Sequence, residues 1–374
     1  MNANKYIKMT VALIALLSSC KGDNADNIPA PPEISMLQYI GLKNEANIRA
    51  AQEFVIEKYG TPYRLRMQII GDHVYVPTIH GLYRKHVATA HTTEWELYAF
   101  GGVPVANFVK NGSRVLAITS NMNDKALLLS TDDGKTCSPA TPDSFMENGE
   151  GKTPFIFGIG QNPENPNSLL ALVFSATWDA FGVMKSTDFG KNWDVLSPRL
   201  GGYQNWFVGF HPLDTLNIYT SGEDMIFDAF IHASYDDGET WSDIETIDNN
   251  CIHHIAFHPT EPQTMIYSGE YIVKKSEDKG RTWRVVLGDE IYFYKTVYDK
   301  VDPNIVYASG NTRISDEPHK FTIYRSLNGG EDWDVFFQTD LPGEGGIIDM
   351  ELYENRLFLY TFTDGIYMLT IPAE

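Results

Sequence analysis

The sequence predicts an all-β chain: a seven-bladed β-propeller, with six blades as the alternative, plus a short N-terminal helix. Three observations carry this. The octapeptide Ser-x-Asp-x-Gly-x-Thr-Trp returns five times, beginning at Ser130, Ser186, Ser234, Ser276 and Ser326, with gaps of 56, 48, 42 and 50 residues. A repeat of this length means one supersecondary unit used again and again. A second repeat, a Pro-bearing turn between two apolar runs, precedes the octapeptide in a constant order. The 374 residues, 43% hydrophobic and 13% aromatic with 30 Gly, suffice for a large β core.

The octapeptide reads as a hairpin tip. Its Asp accepts backbone N–H bonds, and its Gly takes a positive φ at no steric cost. The closing Trp covers the hairpin base. Cys137 replaces Trp in the first copy, and Asn328 replaces Asp in the last. The pattern resembles the Asp-box of sialidases, sortilin-type receptor domains, xyloglucan-cleaving hydrolases and photosystem II assembly propellers. That resemblance implies a position between the third and fourth strands of a blade, far from the active face. It therefore implies a structural role for Asp132, Asp188, Asp236 and Asp278.

The Pro-bearing turns follow Asn162, Gly209-Phe-His-Pro, Ala256-Phe-His-Pro and Val301-Asp-Pro-Asn, and lead into Leu172–Ser175, Ile218–Gly222, Ile266–Gly269 and Val306–Gly310. Each reads as strand, turn, strand. One blade is then strand A, Pro turn, strand B, loop, strand C, octapeptide, strand D. Counted so, the blades fall near 64–100, 103–140, 154–198, 204–247, 251–288, 291–339 and 345–372. The last has three strands. A propeller closes by borrowing a strand from its other end, and Ile34–Ile40 is the candidate.

Lys5 and Lys8 precede a short apolar run, Val11–Leu17, too short to span a bilayer. Leu17-Ser18-Ser19-Cys20 then resembles a bacterial lipobox. It implies a signal peptide over 1–19, a lipid on Cys20, and an outer-membrane or cell-surface address of the Bacteroidota type. Residues 20–33 read as a solvated tether, 34–60 as a strand and helix packing on the propeller, and 61–374 as the propeller itself. The helix is expected over 44–59, capped by Asn44 and ended by Gly60.

The formal charge is −20, and removing residues 1–19 takes away two Lys and no acid, leaving −22. That argues against nucleic acid and against anionic membrane faces, so contact with a membrane is expected through the lipid alone. Cys137 and Cys251 fall in different blades, so no disulfide is expected. No cofactor or metal is expected either: there is no phosphate-binding loop, nucleophile elbow or zinc-protease motif. His253 and His254, neighbours on a strand, should point to opposite faces. The chain is expected to be a monomer.

Function must come from loops, because the fold serves many activities. The B–C and D–A loops should share one face and carry aromatic and charged residues. The candidate catalytic carboxylates are Asp179, Glu223, Asp224 and Glu270. The candidate substrate-binding residues are His80, Trp178, Arg199, Tyr203, Trp206, His253, Tyr271 and Arg313. Aromatic platforms beside carboxylates suit sugar rings, and glycosidases use two carboxylates flanking the bond. The expectation is a surface-anchored carbohydrate-active protein, a glycoside hydrolase-like propeller acting on or binding a glycan or polysaccharide. A lyase using His80, His253 and Tyr271 is a thinner reading. The alternatives are a non-catalytic glycan- or protein-binding propeller and an assembly factor. Sialidase activity is disfavoured, because Tyr63-Arg64-Leu65-Arg66 lacks the Pro of the sialidase arginine motif.

Overall fold

The computed structural model describes residues 36–46, 65–119, 127–140, 155–175, 180–197, 200, 204–224, 228–312, 320–340 and 346–372. Met36–Glu374 forms one compact unit. The signal, the lipobox and the tether lie outside the described residues, as does nearly all of the expected helix. The described start of that helix, residues 44–46, lies in a turn closed by Ala46 N–H on the Leu42 carbonyl at 2.9 Å.

The chain is an all-β propeller. Its only described helical element is the 3-10 turn Val87–Thr89. Strand β1 is Leu37–Gly41. The first sheet is β2 (Gln68–Ile70), β3 (His73–Thr78), β4 (Gly81–His86) and β5 (Glu96–Ala99). The second is β6 (Val105–Asn111), β7 (Arg114–Thr119), β8 (Leu127–Ser130) and β9 (Ser138–Pro139). The third is β10 (Phe155–Gln161), β11 (Leu169–Ser175), β12 (Ala180–Ser186) and β13 (Asp194–Ser197). The fourth is β14 (Gln204–His211), β15 (Asp214–Glu223), β16 (Ala229–Ser234) and β17 (Ser242–Ile247).

The fifth sheet departs from the expected count. It has six strands in the order β18 (Ile252–Phe257), β19 (Met265–Ser276), β20 (Arg284–Tyr298), β21 (Val306–Asn311), β22 (Lys320–Ser326) and β23 (Asp334–Asp340). The described residues therefore make six sheets rather than seven blades. The reason is β20, whose 15 residues run without a break. Its first part pairs with β19 through Arg284–Tyr292, and its second pairs with β21 through Tyr292–Tyr298. The segments read as blades 5 and 6 are thus two repeats fused into one sheet.

The last sheet is β24 (Ile347–Tyr353), β25 (Arg356–Thr361) and β26 (Ile366–Thr370), with β1 as its fourth strand, antiparallel to β26 and pairing Leu37 with Leu369. Side chains on both sides also tie β1 to the first sheet. Trp95 Nε1 and Lys85 Nζ donate to the Ile40 carbonyl at 2.7 and 3.1 Å, and Gln38 Nε2 donates to the His91 carbonyl at 2.6 Å. On the other side Lys43 pairs with the buried Asp364 at 2.5 Å, and Tyr367 donates its hydroxyl to the same carboxylate. Asp364 is consumed by this closure.

Apolar side chains pack between neighbouring sheets. Tyr75 and Leu82 of the first sheet meet Val105 and Phe108 of the second, and Leu170 and Val183 of the third meet Val208 and Ile218 of the fourth. Each fully buried side chain of this size contributes about 1.5–3 kcal/mol. The inner strands neighbour one another around a ring, from β6 through β10, β14, β18, β20 and β24 to β2.

Candidate functional site

Three octapeptides lie between the third and fourth strands of their sheets, the fourth lies between β19 and β20 and the fifth between β22 and β23, and all share one geometry. The first Ser Oγ accepts from the Gly N–H at 2.8–2.9 Å in every copy. The third residue accepts from the N–H of the seventh at 2.8–2.9 Å. The last copy swaps polarity: Asn328 stands for Asp and donates Nδ2 to Asp332, which stands for Thr, at 2.8 Å. The Thr136 hydroxyl and N–H hold Asp132 at about 2, and Thr240 lowers Asp236 in the same way. These carboxylates are fully committed to their turns.

The fourth octapeptide residue sits at positive φ, at Asp133, Phe189, Asp237, Lys279 and Gly329. Its N–H donates to a carbonyl of the A–B turn, namely Ser113, Asn167, Leu216, Gln263 and Asn304, at 2.7–2.9 Å. Octapeptides and A–B turns therefore share one face. The B–C ends and D–A links meet on the other. Gly102 N–H bonds the His80 carbonyl at 2.9 Å, and Asn250 Nδ2 bonds the Glu270 carbonyl at 2.7 Å.

The inner strands share an irregularity. In β6, β10, β14, β18, β20 and β24 the register slips at Ala106, Phe157, Trp206, His253, Tyr294 and Ile348. Such a bulge adds one residue and re-aims its neighbours. The residues that follow include His254, Lys295 and Asp349, which gather in the channel. Asp349 is 0% exposed. Its Oδ2 accepts from Met67 N–H at 2.7 Å, and Oδ1 lies 2.9 Å from Lys295 Nζ and 3.5 Å from Arg66. Lys295 also reaches Glu351 at 3.1 Å. Burial alone would lower the Lys295 pKa, but Asp349 and Glu351 override it and the net shift is upward. Burial, then Lys295 and Arg66, push His254 well below its ordinary value. Two cations and two carboxylates thus neutralise one another inside the ring.

From this cluster a row of rings leads outward. His253 stacks on Tyr294 with centroids 4.6 Å apart and planes at 9°. Its ring Nδ1 lies 3.5 Å from Cys251 Sγ. Tyr292 stands edge-on to His253 at 6.5 Å, and Tyr271 packs on Tyr292 at 5.2 Å. Tyr271 is 37% exposed and ends the row. Row and cluster are complementary: the rings offer stacking faces, while the buried charges are occupied with each other.

Among the expected carboxylates, Glu223 ends β15 and is half-buried. Asp224 follows it, with N–H on the Asp228 carbonyl at 2.9 Å and Oδ1 accepting from Asp228 N–H at 3.0 Å. Glu270 lies midway along β19, directly before Tyr271. His80 is exposed at the β3–β4 tip. His253 and Tyr271 meet through Tyr292. Trp206 lies on β14, with its side chain outside the described residues. Asp179, Trp178, Arg199, Tyr203, Arg313 and Cys20 also lie outside them. Sequence reasoning missed Tyr292, Tyr294, Lys295, Asp349 and Glu351. Strict alternation hides a channel residue that follows a bulge. Cys137 is exposed, Cys251 is buried, and neither is in a disulfide. Among the described residues no group of three His, Cys, Asp or Glu is placed to hold a metal ion, and no helix is long and apolar enough to cross a membrane.

No protein-family model matches the chain, and no curated protein matches it. Solved structures do. The GH74 xyloglucanase from Xanthomonas campestris is similar with a TM-score of 0.62 at 17% identity, covering 83% of this chain and 54% of its own. YCF48 bound to D1 peptide is similar with a TM-score of 0.55 at 15% identity, covering 83% of this chain and 94% of its own. The extracellular domain of a putative one-component system from B. thetaiotaomicron is similar with a TM-score of 0.55 at 10% identity, covering 83% of this chain and 39% of its own. The chain thus spans about half the length of the xyloglucanase. At these identities the likeness is one of fold.

Proposed function

We propose that this chain is a carbohydrate-active propeller that binds a glycan on the face opposite its octapeptides, against the Tyr271–Tyr292 rim. One observation carries the reading: an exposed tyrosine, backed by a second ring at 5.2 Å, stands directly beside Glu270. A sugar ring stacks its C–H face on such a platform and offers hydroxyls to a carboxylate. The likeness to a xyloglucanase fold supports the same class of ligand. Hydrolysis, if it occurs, falls to a pair drawn from Asp179, Glu223, Asp224 and Glu270. We place the protein at the bacterial surface, held by a lipid on Cys20. Cys20→Ala should then end incorporation of labelled palmitate.

The test is an array of neutral and acidic glycans, followed by product analysis on every hit. Tyr271→Ala should remove binding, and Glu270→Gln or Glu223→Gln should remove turnover while sparing binding. Asp236→Asn, in an octapeptide, should change neither. One observation favours a second reading. The structure with a bound peptide matches this chain over 94% of its own length, against 54% for the xyloglucanase. Silence across the whole array would transfer the face to a protein partner.

A further inference from the structure

The backbone at Tyr271 is left-handed, with φ +62°. It lies where β19 and β20 lose register, between Glu270 and Ile272. The extra residues are on β20, since Glu270 pairs with Tyr292 and Ile272 with Gly288. A left-handed position on the strand opposite ordinarily takes Gly, because any Cβ crowds the next carbonyl. A tyrosine in that place is strained, and such strain persists only where the surroundings fix it.

Asn250 does the fixing. It is 9% exposed and lies in the link before β18. Its Nδ2 donates to the Glu270 carbonyl at 2.7 Å. Its Oδ1 accepts from Glu270 N–H at 3.2 Å and from Cys251 N–H at 2.9 Å. Glu270 N–H also reaches the Cys251 carbonyl at 3.1 Å. Glu270 is therefore held at both its N–H and its carbonyl. Gly269 makes room: a Cβ there would lie 2.9 Å from Asn250 Oδ1 and 2.8 Å from the Cys251 carbonyl. From this pinned peptide the Tyr271 ring reaches Tyr292, hydroxyl to hydroxyl at 3.4 Å.

We infer that Asn250 is a positioning residue, holding the Glu270–Tyr271 backbone in its strained form so that Tyr271 is presented as a preformed stacking platform. The inference rests on the binding face proposed above, but its test separates the two. The full chain is labelled with 3-fluorotyrosine, and the Tyr271 fluorine line is identified by its loss in Tyr271→Phe. Asn250→Ala should move that line toward the position of free 3-fluorotyrosine, and Asn250→Asp, which keeps the acceptor and loses the donor, should move it part of the way. Binding of a xyloglucan oligosaccharide should weaken at least tenfold in Asn250→Ala. A shifted line without any binding by the parent chain supports the positioning role and removes the glycan reading. An unshifted line in folded Asn250→Ala overturns the positioning role. Stability gives an independent check: Tyr271→Gly should unfold at higher urea than Tyr271→Ala, since both lose the ring and only Gly relieves the backbone. An equal or lower midpoint for Tyr271→Gly removes the strain argument.

Discussion

Gly112 and Gly134 belong to the same sheet, and both are left-handed, at φ +59° and +85°. A Cβ on Gly112 would meet nothing within 4 Å, whereas one on Gly134 would lie 2.6 Å from the Tyr98 carbonyl oxygen and 2.9 Å from Ala99 Cβ. Both contacts belong to β5 of the preceding sheet, and a backbone carbonyl cannot rotate away. Gly112→Ala should cost the left-handed penalty, ~1–2 kcal/mol, less ~0.4–1 kcal/mol from the restricted unfolded chain, so about 1 kcal/mol net. Gly134→Ala carries the same term plus overpacking of ~1–3 kcal/mol, or about 2–4 kcal/mol in all. Equilibrium urea unfolding reads the difference as a lower midpoint at constant slope. If Gly134→Ala is no worse than Gly112→Ala, the octapeptide glycines are not what lets neighbouring sheets approach.

Acid should destabilise the fold in two steps. Burial pushes His211 down to about 4 and also lowers His232, His254 and His258 from 6.5. These folded values lie below the unfolded one, so the stabilisation is complete above 6.5 and fades as pH falls toward 4. His211 alone accounts for roughly 3 kcal/mol of it. The octapeptide carboxylates follow below their ordinary 3.8. Because His211 Nδ1 accepts from Leu213 N–H at 3.1 Å, and Asn162 Oδ1 makes the like bond to Glu164 at 2.9 Å, His211→Asn should keep the turn and flatten the first step. Trp193→Ala, at a ring only 4% exposed, should cost ~3–5 kcal/mol, and the partly buried Trp241 less, by the same unfolding measurement. Asp349→Ala leaves Lys295 and Arg66 facing Glu351 alone, a net buried positive charge, and should cost ~3–5 kcal/mol, measurable as a fall in urea midpoint; a neutral result would show that water reaches those cations.

The octapeptide repeat made the order of the strands legible, because Ser, Asp and Gly act on their own local backbone. The sheet count was legible only as the six-blade alternative. Gly288 resembles a turn residue, yet β20 passes through it and pairs on with Ile272. The Pro turns were readable only to within a residue or two. Asp299, not Val301-Asp-Pro, holds the place of His258: each accepts from two N–H groups of its turn, and Asp299 N–H bonds the Ile305 carbonyl as His258 N–H bonds Thr264. In the site, Tyr271 and His253 were legible as candidate residue types, but Tyr271 lies within β19 rather than in a loop between two strands. Lys295 and Asp349 were not, because a bulge one residue earlier displaces them from the alternation that sequence reading assumes.

The closing strand has a consequence for synthesis. Leu37 is made about 330 residues before its partner Leu369. At about 5–20 residues per second, that is roughly 15–65 s during which β1 has no sheet to join. The sheets can assemble in order as they emerge, since each packs on its predecessor. The ring itself cannot shut until the last strand is out, and contacts this distant in sequence form slowly. The same separation makes the join between β1 and β26 a natural place for a permuted chain. Moving Met36–Ala46 to follow Pro372 would put the closing strand beside its partner in time as well as in space.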